Sequence, residues 1–168
     1  MIEIRWHARA GQGAKSASQL LAMAQLRGGR YVQAFPEYGP ERGGAPLRTF
    51  NRVDERPIRR RYGIQEPDVV VVLEPSLIGE VDVTAGLKPG GLLLVNGRAP
   101  AGHTGRTVVV DAAARADARS VNLVMLGALA AELGEPSLED LRSATRELFG
   151  KKLGGAAAQE AALEAGYA

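Results

Sequence analysis

The segment DVVVVLE, residues 68–74, constrains the fold more than any other stretch of this sequence. Its β-branched residues favour a strand, and an apolar run without polar interruption is typical of a strand that is buried on both faces. A strand of that kind belongs mostly to parallel sheets, which need a covering layer on each side. The segment therefore predicts the central strand of an α/β domain.

Five further segments have strand character, because they alternate apolar and polar residues or are rich in β-branched ones. We expect LRTFNRV to form an edge strand, and RPIRRRYGIQEP, residues 56–67, to be a basic connector. VNGRAPAGHTG, residues 95–105, is predicted to be a loop. The strand segments are IEIRWH (2–7), YVQAF (31–35), LRTFNRV (47–53), LLLVN (92–96) and TVVVDA (107–112).

Apolar residues at helical spacing predict four helices. The first follows Gly13 and ends near the RGG of residues 27–29, and the second, residues 121–133, has one apolar face. The third, residues 137–149, begins with a capping arrangement of Ser137 and Asp140. A last helix fits residues 155–167. These elements predict one Rossmann-like α/β domain over residues 1–168, with a mostly parallel sheet flanked by helices and a helical C-terminal part.

The chain contains no cysteine. It can therefore form no disulfide, no thiolate zinc site and no cysteine-ligated iron–sulfur cluster. The N-terminus has no charged region before an apolar one, and the apolar runs are far too short to cross a bilayer. We expect a cytoplasmic protein that has no membrane partner.

Charge is distributed unevenly along the chain. Residues 1–62 contain 12 Lys or Arg and 5 Asp or Glu, whereas residues 63–168 contain 9 and 14. Arginine provides 17 of the 21 basic residues, and its guanidinium pairs with carboxylates and phosphates in a bidentate manner. We expect the basic half to face an anion or the acidic surface of a partner. Few aromatic residues and no nucleic-acid-reading motif are present, so we expect no nucleic acid.

The stretch HARAGQGAKS, residues 7–16, joins the first strand to the first helix and is rich in glycine. A triphosphate-binding loop needs glycine at positions 9 and 14, where this chain has Arg9 and Ala14, so that template fails. The dinucleotide fingerprint fits weakly, as Gly11, Gly13 and Ser16. The acid that should follow the second strand and hold ribose hydroxyls is missing, because YVQAF continues into a proline.

Two interpretations of the glycine turn stay open. A helix N-terminus offers unpaired N–H groups and a positive dipole end, so Gly11 and Gly13 could expose an anion site to which Gln12 adds its amide. Alternatively, the glycines only permit a tight turn and close packing of the helix against the strand.

Several segments together resemble a known family, over nearly the whole chain and in the order of that family. The chain resembles the gamma subunit, or gamma domain, of 2-oxoacid:ferredoxin oxidoreductases of the pyruvate and ketoisovalerate group. The family usually writes its first motif H-G-R-G-G-Q-G, and this chain has Ala8 and Ala10 at two of those glycines. The matching segments are RWHARAGQGAKSASQLLAMA, AFPEYGPERGGAP, EPDVVVVLEPSL, VNLVMLGALA and SLEDLRSATRELFGKK.

The resemblance implies a role inside a larger enzyme. Complexes of this family decarboxylate a 2-oxoacid oxidatively with thiamine diphosphate, pass electrons through iron–sulfur clusters to ferredoxin and transfer the acyl group to coenzyme A. The resemblance implies that thiamine diphosphate, magnesium and the clusters lie in alpha, beta and delta-type partner subunits, and that ferredoxin is an indirect partner. This chain would support assembly, would be inactive alone and would contribute no catalytic residue and no metal ligand.

The resemblance also implies that this subunit can help to bind coenzyme A, which carries three phosphate groups. We predict Gly11, Gln12 and Gly13 for an anion and Arg42 as an arginine on a rigid loop. Glu37 and Tyr38 complete the predicted site.

Each of these loop residues has an alternative role. Arg42 could instead form a salt bridge with Glu37 or Glu41 that shapes the loop, and Glu37 and Tyr38 could hold a subunit interface. His7 and His103 are expected to be structural or solvated, and the RRR of residues 59–61 to be a solvated or partner-facing patch.

Two other functions are compatible with the sequence. The chain could be a free-standing dinucleotide-binding enzyme, although the missing second-strand acid argues against it. It could also be an adapter that binds coenzyme A or a nucleotide without an enzyme partner.

Overall fold

The computed structural model describes residues 1–37, 43–151 and 155–168, which form one six-stranded sheet and five α-helices. Short 3₁₀ turns occupy Pro75–Leu77 and Ala118–Ser120. The strands are β1 (Ile2–Arg9), β2 (Tyr31–Pro36), β3 (Pro46–Asp54), β4 (Val69–Val72), β5 (Leu92–Asn96) and β6 (Arg106–Val110). The helices are α1 (Ala14–Arg27), α2 (Ala112–Arg115), α3 (Val121–Leu133), α4 (Leu138–Phe149) and α5 (Ala157–Tyr167).

The strands lie in the order β2-β3-β1-β4-β5-β6, and only β3 runs against the other five. This arrangement confirms the predicted α/β class with a mostly parallel sheet. The prediction that residues 47–53 form an edge strand is wrong, because β3 pairs with β2 on one side and with β1 on the other. Alternation in the sequence reports which face a side chain occupies, but not whether a second strand pairs with that backbone.

The four valines of β4 are all buried and divide between two cores. Val69 and Val71 pack with the helices, whereas Val70 and Val72 pack with Leu77 from the connection that follows β4. The helices cover one face of the sheet, and the connection between β4 and β5 covers the other. The prediction that residues 69–72 form a strand buried on both faces is confirmed.

The face of β1, β2 and β3 that lies away from the helices carries a buried polar cluster around Arg52. The Arg52 guanidinium donates to Glu3 Oε1 at 2.8 Å, to Gln33 Oε1 at 3.1 Å and to the carbonyl of Tyr62 at 2.6 Å. Its Cζ also lies 5.4 Å from the ring centroid of Phe35 and 5.3 Å from that of Tyr62, within the range of cation–π contacts. The hydrogen bond from Arg52 to Tyr62 therefore attaches the basic connector to the sheet.

Helix α3 is buried on every side from Asn122 to Ala130, although the sequence predicts one apolar face. The sheet covers one side of this helix and α5 covers the other. The backbones of α3 and α5 touch, because a Cβ on Gly127 would overlap the carbonyl oxygen of Leu163, and a Cβ on Gly166 would overlap that of Val124. Glycine is needed at both positions for this close approach.

No helix in residues 1–37, 43–151 or 155–168 is long and apolar enough to cross a membrane.

Alanine at Gly127 or Gly166 is expected to lower the free energy of unfolding by about 1 to 3 kcal/mol, since overpacking forces the two helix backbones apart. Gly63→Ala is the matched control, because a Cβ there meets nothing within 4 Å and the backbone does not have positive φ. Urea unfolding followed by circular dichroism measures the difference. Equal stability of Gly166→Ala and Gly63→Ala would contradict the close contact.

Candidate functional site

The glycine turn lies between the end of β1 and the start of α1. Gly11 and Gly13 have φ of 92° and 79°, in the left-handed region that favours glycine, and Gly13 is the N-cap residue of α1. No residue other than glycine has positive φ in the described part of the chain. Ala8 lies inside β1, and the N–H of Ala10 donates to the carbonyl of Ala45 at 3.0 Å. Alanine at these two positions therefore causes no backbone strain.

Gly13 also packs against α3. A Cβ on Gly13 would lie 2.5 Å from Nδ2 of Asn122, and the same Nδ2 donates to the carbonyl of Gly13 at 3.0 Å. Gly13 is thus required for the turn and for contact with the core. Gly11 differs, because a Cβ there would meet none of the described residues within 4 Å. Its surroundings leave room for a bound group.

The side chain of Gln12 forms hydrogen bonds with residues at the ends of two strands. Its Oε1 accepts from the N–H of Arg9 at 2.7 Å, and its Nε2 donates to the carboxylate of Glu74, which follows β4. The carboxylate of Glu74 also accepts from the N–H of Ser76 at 3.0 Å. The amide of Gln12 is therefore engaged within the chain.

The turn lies where the strand order reverses. β1 and β4 are parallel neighbours, and the chain leaves β1 over one face through α1 but leaves β4 over the other face. Open α/β sheets bind ligands at the carboxyl ends of the strands beside such a switch point. A cavity of 560 Å³ is found there, and its lining includes Gly11, Gln12, Gly13, Glu74, Asn96 and Arg119.

An ionised carboxylate faces this first cavity. Burial raises the pKa of Glu74, but the hydrogen bonds from Ser76 and Gln12 together with the charge of Arg9 outweigh that effect and lower its pKa overall. Glu74 therefore opposes a phosphate group on its side of the cavity and suits hydroxyl or N–H donors, and Arg119 is the cation of the described lining.

A second cavity, of 580 Å³, lies on the other side of the glycine turn. Its described lining contains no acid, and it includes Gly11, Gly13, Lys15 and Ser16. Lys15 is exposed at the first turn of α1, where backbone N–H groups have no partner within the helix. The second cavity is therefore the better place for an anion.

The other predicted site residues lie elsewhere or cannot be placed. Glu37 follows β2 and forms an ion pair with Arg48 through both carboxylate oxygens. It lines a third cavity, of 370 Å³, together with His7. Tyr38 and Arg42 lie outside the described residues, so their assignment to a site stays a prediction.

His7 is 4% exposed and neutral. Its Nε2 accepts from Nε of Arg5 at 3.0 Å. Burial, with further contributions from the charges of Arg5 and Arg48, lowers the pKa of His7 to about 3. His7 therefore lies inside the polar face of the sheet, and the expectation that it is structural or solvated stays a prediction.

Sequence reasoning missed Glu74 and Asn96, which line the first cavity. Asn96 ends β5, donates to the carbonyl of Leu73 at 3.1 Å and accepts from the N–H of Ala112 at 3.1 Å. The sequence feature that could have identified them is a polar residue at the carboxyl end of each predicted parallel strand. Among the described residues, no group of three or more His, Cys, Asp or Glu is placed to hold a metal ion.

The fold and the glycine turn define a Rossmann-like α/β subunit with its crevice at the switch point. The model of the pyruvate ferredoxin/flavodoxin oxidoreductase family matches residues 3–168. The chain belongs to that family and is a gamma-type subunit of it, as the resemblance in the sequence indicated.

Two relatives are similar in sequence to this chain over almost its whole length. The common gamma subunit of pyruvate/ketoisovalerate oxidoreductases from Thermococcus kodakarensis is 46% identical over 166 residues, which cover 92% of this chain and 90% of the relative. Pyruvate synthase subunit PorC from Thermotoga maritima is 48% identical over 162 residues, 90% of this chain and 84% of the relative.

A solved structure has the same fold. The crystal structure of pyruvate oxidoreductase subunit PORC from Thermotoga maritima superimposes with a TM-score of 0.83 and 40% identity, covering 99% of this chain and 94% of that one. The predicted fold class is confirmed by this neighbour.

The low pKa of His7 makes stability depend on pH. Between the folded-state pKa of about 3 and the ordinary value of 6.5, the unfolded chain binds more protons than the folded one. The contribution of neutral His7 to stability is therefore complete above pH 6.5 and is lost as the pH falls toward 3.

From about pH 6 to about pH 4 we expect wild type to lose about 2 kcal/mol more unfolding free energy than His7→Gln, which cannot titrate. Urea unfolding at a series of pH values measures both slopes. Identical slopes for wild type and His7→Gln would refute the shifted pKa.

Proposed function

We propose that this chain is the noncatalytic gamma subunit of a multisubunit complex that oxidatively decarboxylates a 2-oxoacid, with pyruvate as the main substrate. The complex forms an acyl-coenzyme A and passes the electrons to ferredoxin. The observation that carries the proposal is the identity of 46 to 48% with gamma and PorC subunits over nine-tenths of this chain.

Partner subunits supply the chemistry in this proposal. The chain has no cysteine to ligate an iron–sulfur cluster. Alpha, beta and delta-type subunits would hold thiamine diphosphate, magnesium and the clusters, and the gamma subunit would pack on them. Their arrangement would bring the carboxyl edge of the sheet of this chain toward coenzyme A.

Affinity purification of this chain from its own cells, under anaerobic conditions, tests the assembly. We expect larger subunits with bound thiamine diphosphate and iron–sulfur clusters to copurify, and pyruvate-dependent ferredoxin reduction to be found in that complex. The isolated chain should have no activity. Turnover of pyruvate and coenzyme A by the isolated chain would refute the noncatalytic role.

We also propose that the second cavity binds a phosphate group of coenzyme A. The first-turn N–H groups of α1 and the ammonium of Lys15 are its donors, and Gly11 leaves space for the approach. The ionised Glu74 directs the phosphate away from the first cavity. Arg42 directly precedes Gly43 in the sequence, and Gly43 lines the second cavity, so we propose that Arg42 adds a guanidinium to this site.

Calorimetric titration of coenzyme A into the purified chain tests this site. Lys15→Gln is expected to weaken binding roughly tenfold, since a hydrogen bond to a charged group contributes about 1.5 kcal/mol. Lys151→Gln, an exposed lysine far along the chain, is the charge-matched control and should bind normally. Arg42→Ala tests the predicted arginine in the same way.

Equal affinity of wild type and Lys15→Gln would remove the phosphate from the second cavity. A saturable response to NAD(H) in place of coenzyme A would favour the free-standing dinucleotide-binding enzyme.

A further inference from the structure

The third cavity lies on the face of the sheet opposite α1, and nothing in the proposed function uses it. Its volume is 370 Å³, and its lining combines strand residues with Val81 and Asp82 from the connection after β4. His7 of β1 and Arg48 of β3 are direct cross-strand partners in the antiparallel register, and both line the cavity. Their side chains therefore start about 5 Å apart on the same face of the sheet.

The hydrogen bond from Arg5 fixes the tautomer of His7. Arginine can only donate, so Nε2 of His7 must be the bare acceptor of this bond. A neutral imidazole then carries its proton on Nδ1. Nδ1 has no acceptor in the part of the chain that the structure describes, and it is not one of the fully buried unpartnered atoms there, so it remains open to the cavity. The cavity that His7 lines is where this N–H can find one.

Arg5 adds positive charge behind the imidazole. It is buried, and its guanidinium donates to His7 and to the carbonyls of Val83 and Ala85, at 3.1 and 2.6 Å. Within the described residues no carboxylate accepts a hydrogen bond from Arg5. A cation that donates to one side of an imidazole makes the N–H on the other side a stronger donor.

The charged side chains that line the cavity use only some of their polar atoms in hydrogen bonds within the chain. Glu37 is held by Nε and Nη2 of Arg48, which leaves Nη1 of Arg48 without an acceptor among the described residues. Asp82 accepts through Oδ1 from the N–H and the hydroxyl of Thr84, at 3.0 and 2.8 Å. Nδ1–H of His7 and Nη1 of Arg48 thus remain without acceptors among the described residues, on cross-strand partners that line the same cavity.

We propose that this cavity binds a carboxylate group, with one oxygen on Nδ1–H of His7 and the other on Nη1 of Arg48. A carboxylate matches two adjacent donors and carries a single negative charge. A phosphate dianion suits the cavity less well, because the carboxylates of Glu37 and Asp82 line the same space. The carboxylate comes from a free small acid or from an acidic side chain of a bound peptide.

Nitrogen-15 NMR of the imidazoles in the full chain tests the site, because the chain has two histidines. In His103→Gln the remaining imidazole signals belong to His7. At neutral pH we expect sodium acetate to shift the Nδ1 resonance with saturation. Sodium chloride at equal ionic strength should not. A response to acetate no larger than that to chloride, or an equal saturable response to inorganic phosphate, would overturn the proposal.

A double variant tests Arg48 without leaving the carboxylate of Glu37 unpaired in the cavity. The double variant Glu37→Gln/Arg48→Gln keeps the net charge, and acetate should bind it roughly tenfold more weakly, as expected for the loss of a charge-assisted hydrogen bond. Arg56→Gln, in an exposed segment, should bind acetate as wild type does. Unchanged affinity in the double variant would contradict the assignment of Arg48.

A short neutral-ended peptide whose only carboxylate is an aspartate side chain distinguishes the two sources. Binding of this peptide at least tenfold tighter than acetate assigns the cavity to an acidic segment of a protein partner, since peptide contacts outside the carboxylate then contribute. Equal or weaker binding assigns it to a small acid.

Discussion

Burial of β4 on both faces is the constraint on which the rest of this structure depends. Four consecutive valines cannot be exposed on either side without a large loss of hydrophobic stabilisation. The helices therefore pack on one face, and the connection between β4 and β5 folds back with Leu77 and Val83 on the other. Because that connection leaves over the face opposite α1, the switch point beside β1 follows from the same constraint.

Helix α3 connects the packed core to the glycine turn. It is held against the sheet by α5 through the contact at Gly127 and Gly166, and its Asn122 fixes the carbonyl of Gly13. The N-terminus of α1 is thus positioned by residues more than a hundred positions away in the sequence. A site that rests on a packed core rather than on a free loop is held in a fixed geometry.

The uneven charge along the sequence is partly neutralised within the fold. Arginines of the basic half pair with acids of the other half, as in Arg9 with Glu80, Arg27 with Glu147 and Arg30 with Glu135, each at 2.6 Å. The expectation that the basic half faces an external anion therefore applies to fewer residues than the count suggests, Lys15 being one candidate. Net charge per segment cannot show which ion pairs form, because the pairs join distant parts of the chain.

The sequence by itself determined the α/β class, the glycine turn, the family and most of the secondary structure, because periodicity, β-branching and motif spacing are local properties. It missed α2, since Ala112, which was predicted to end a strand, begins that helix. The position of β3 inside the sheet, the burial of α3 on all sides and the role of Glu74 at the crevice were decided by tertiary structure. His7 shows the reason most clearly. Its alternation in β1 places it away from the helices, but its tautomer, its lowered pKa and its cavity depend on Arg5, Arg48 and the connection after β4. Local patterns specify the face on which a side chain lies, and only the assembled sheet specifies what it meets there.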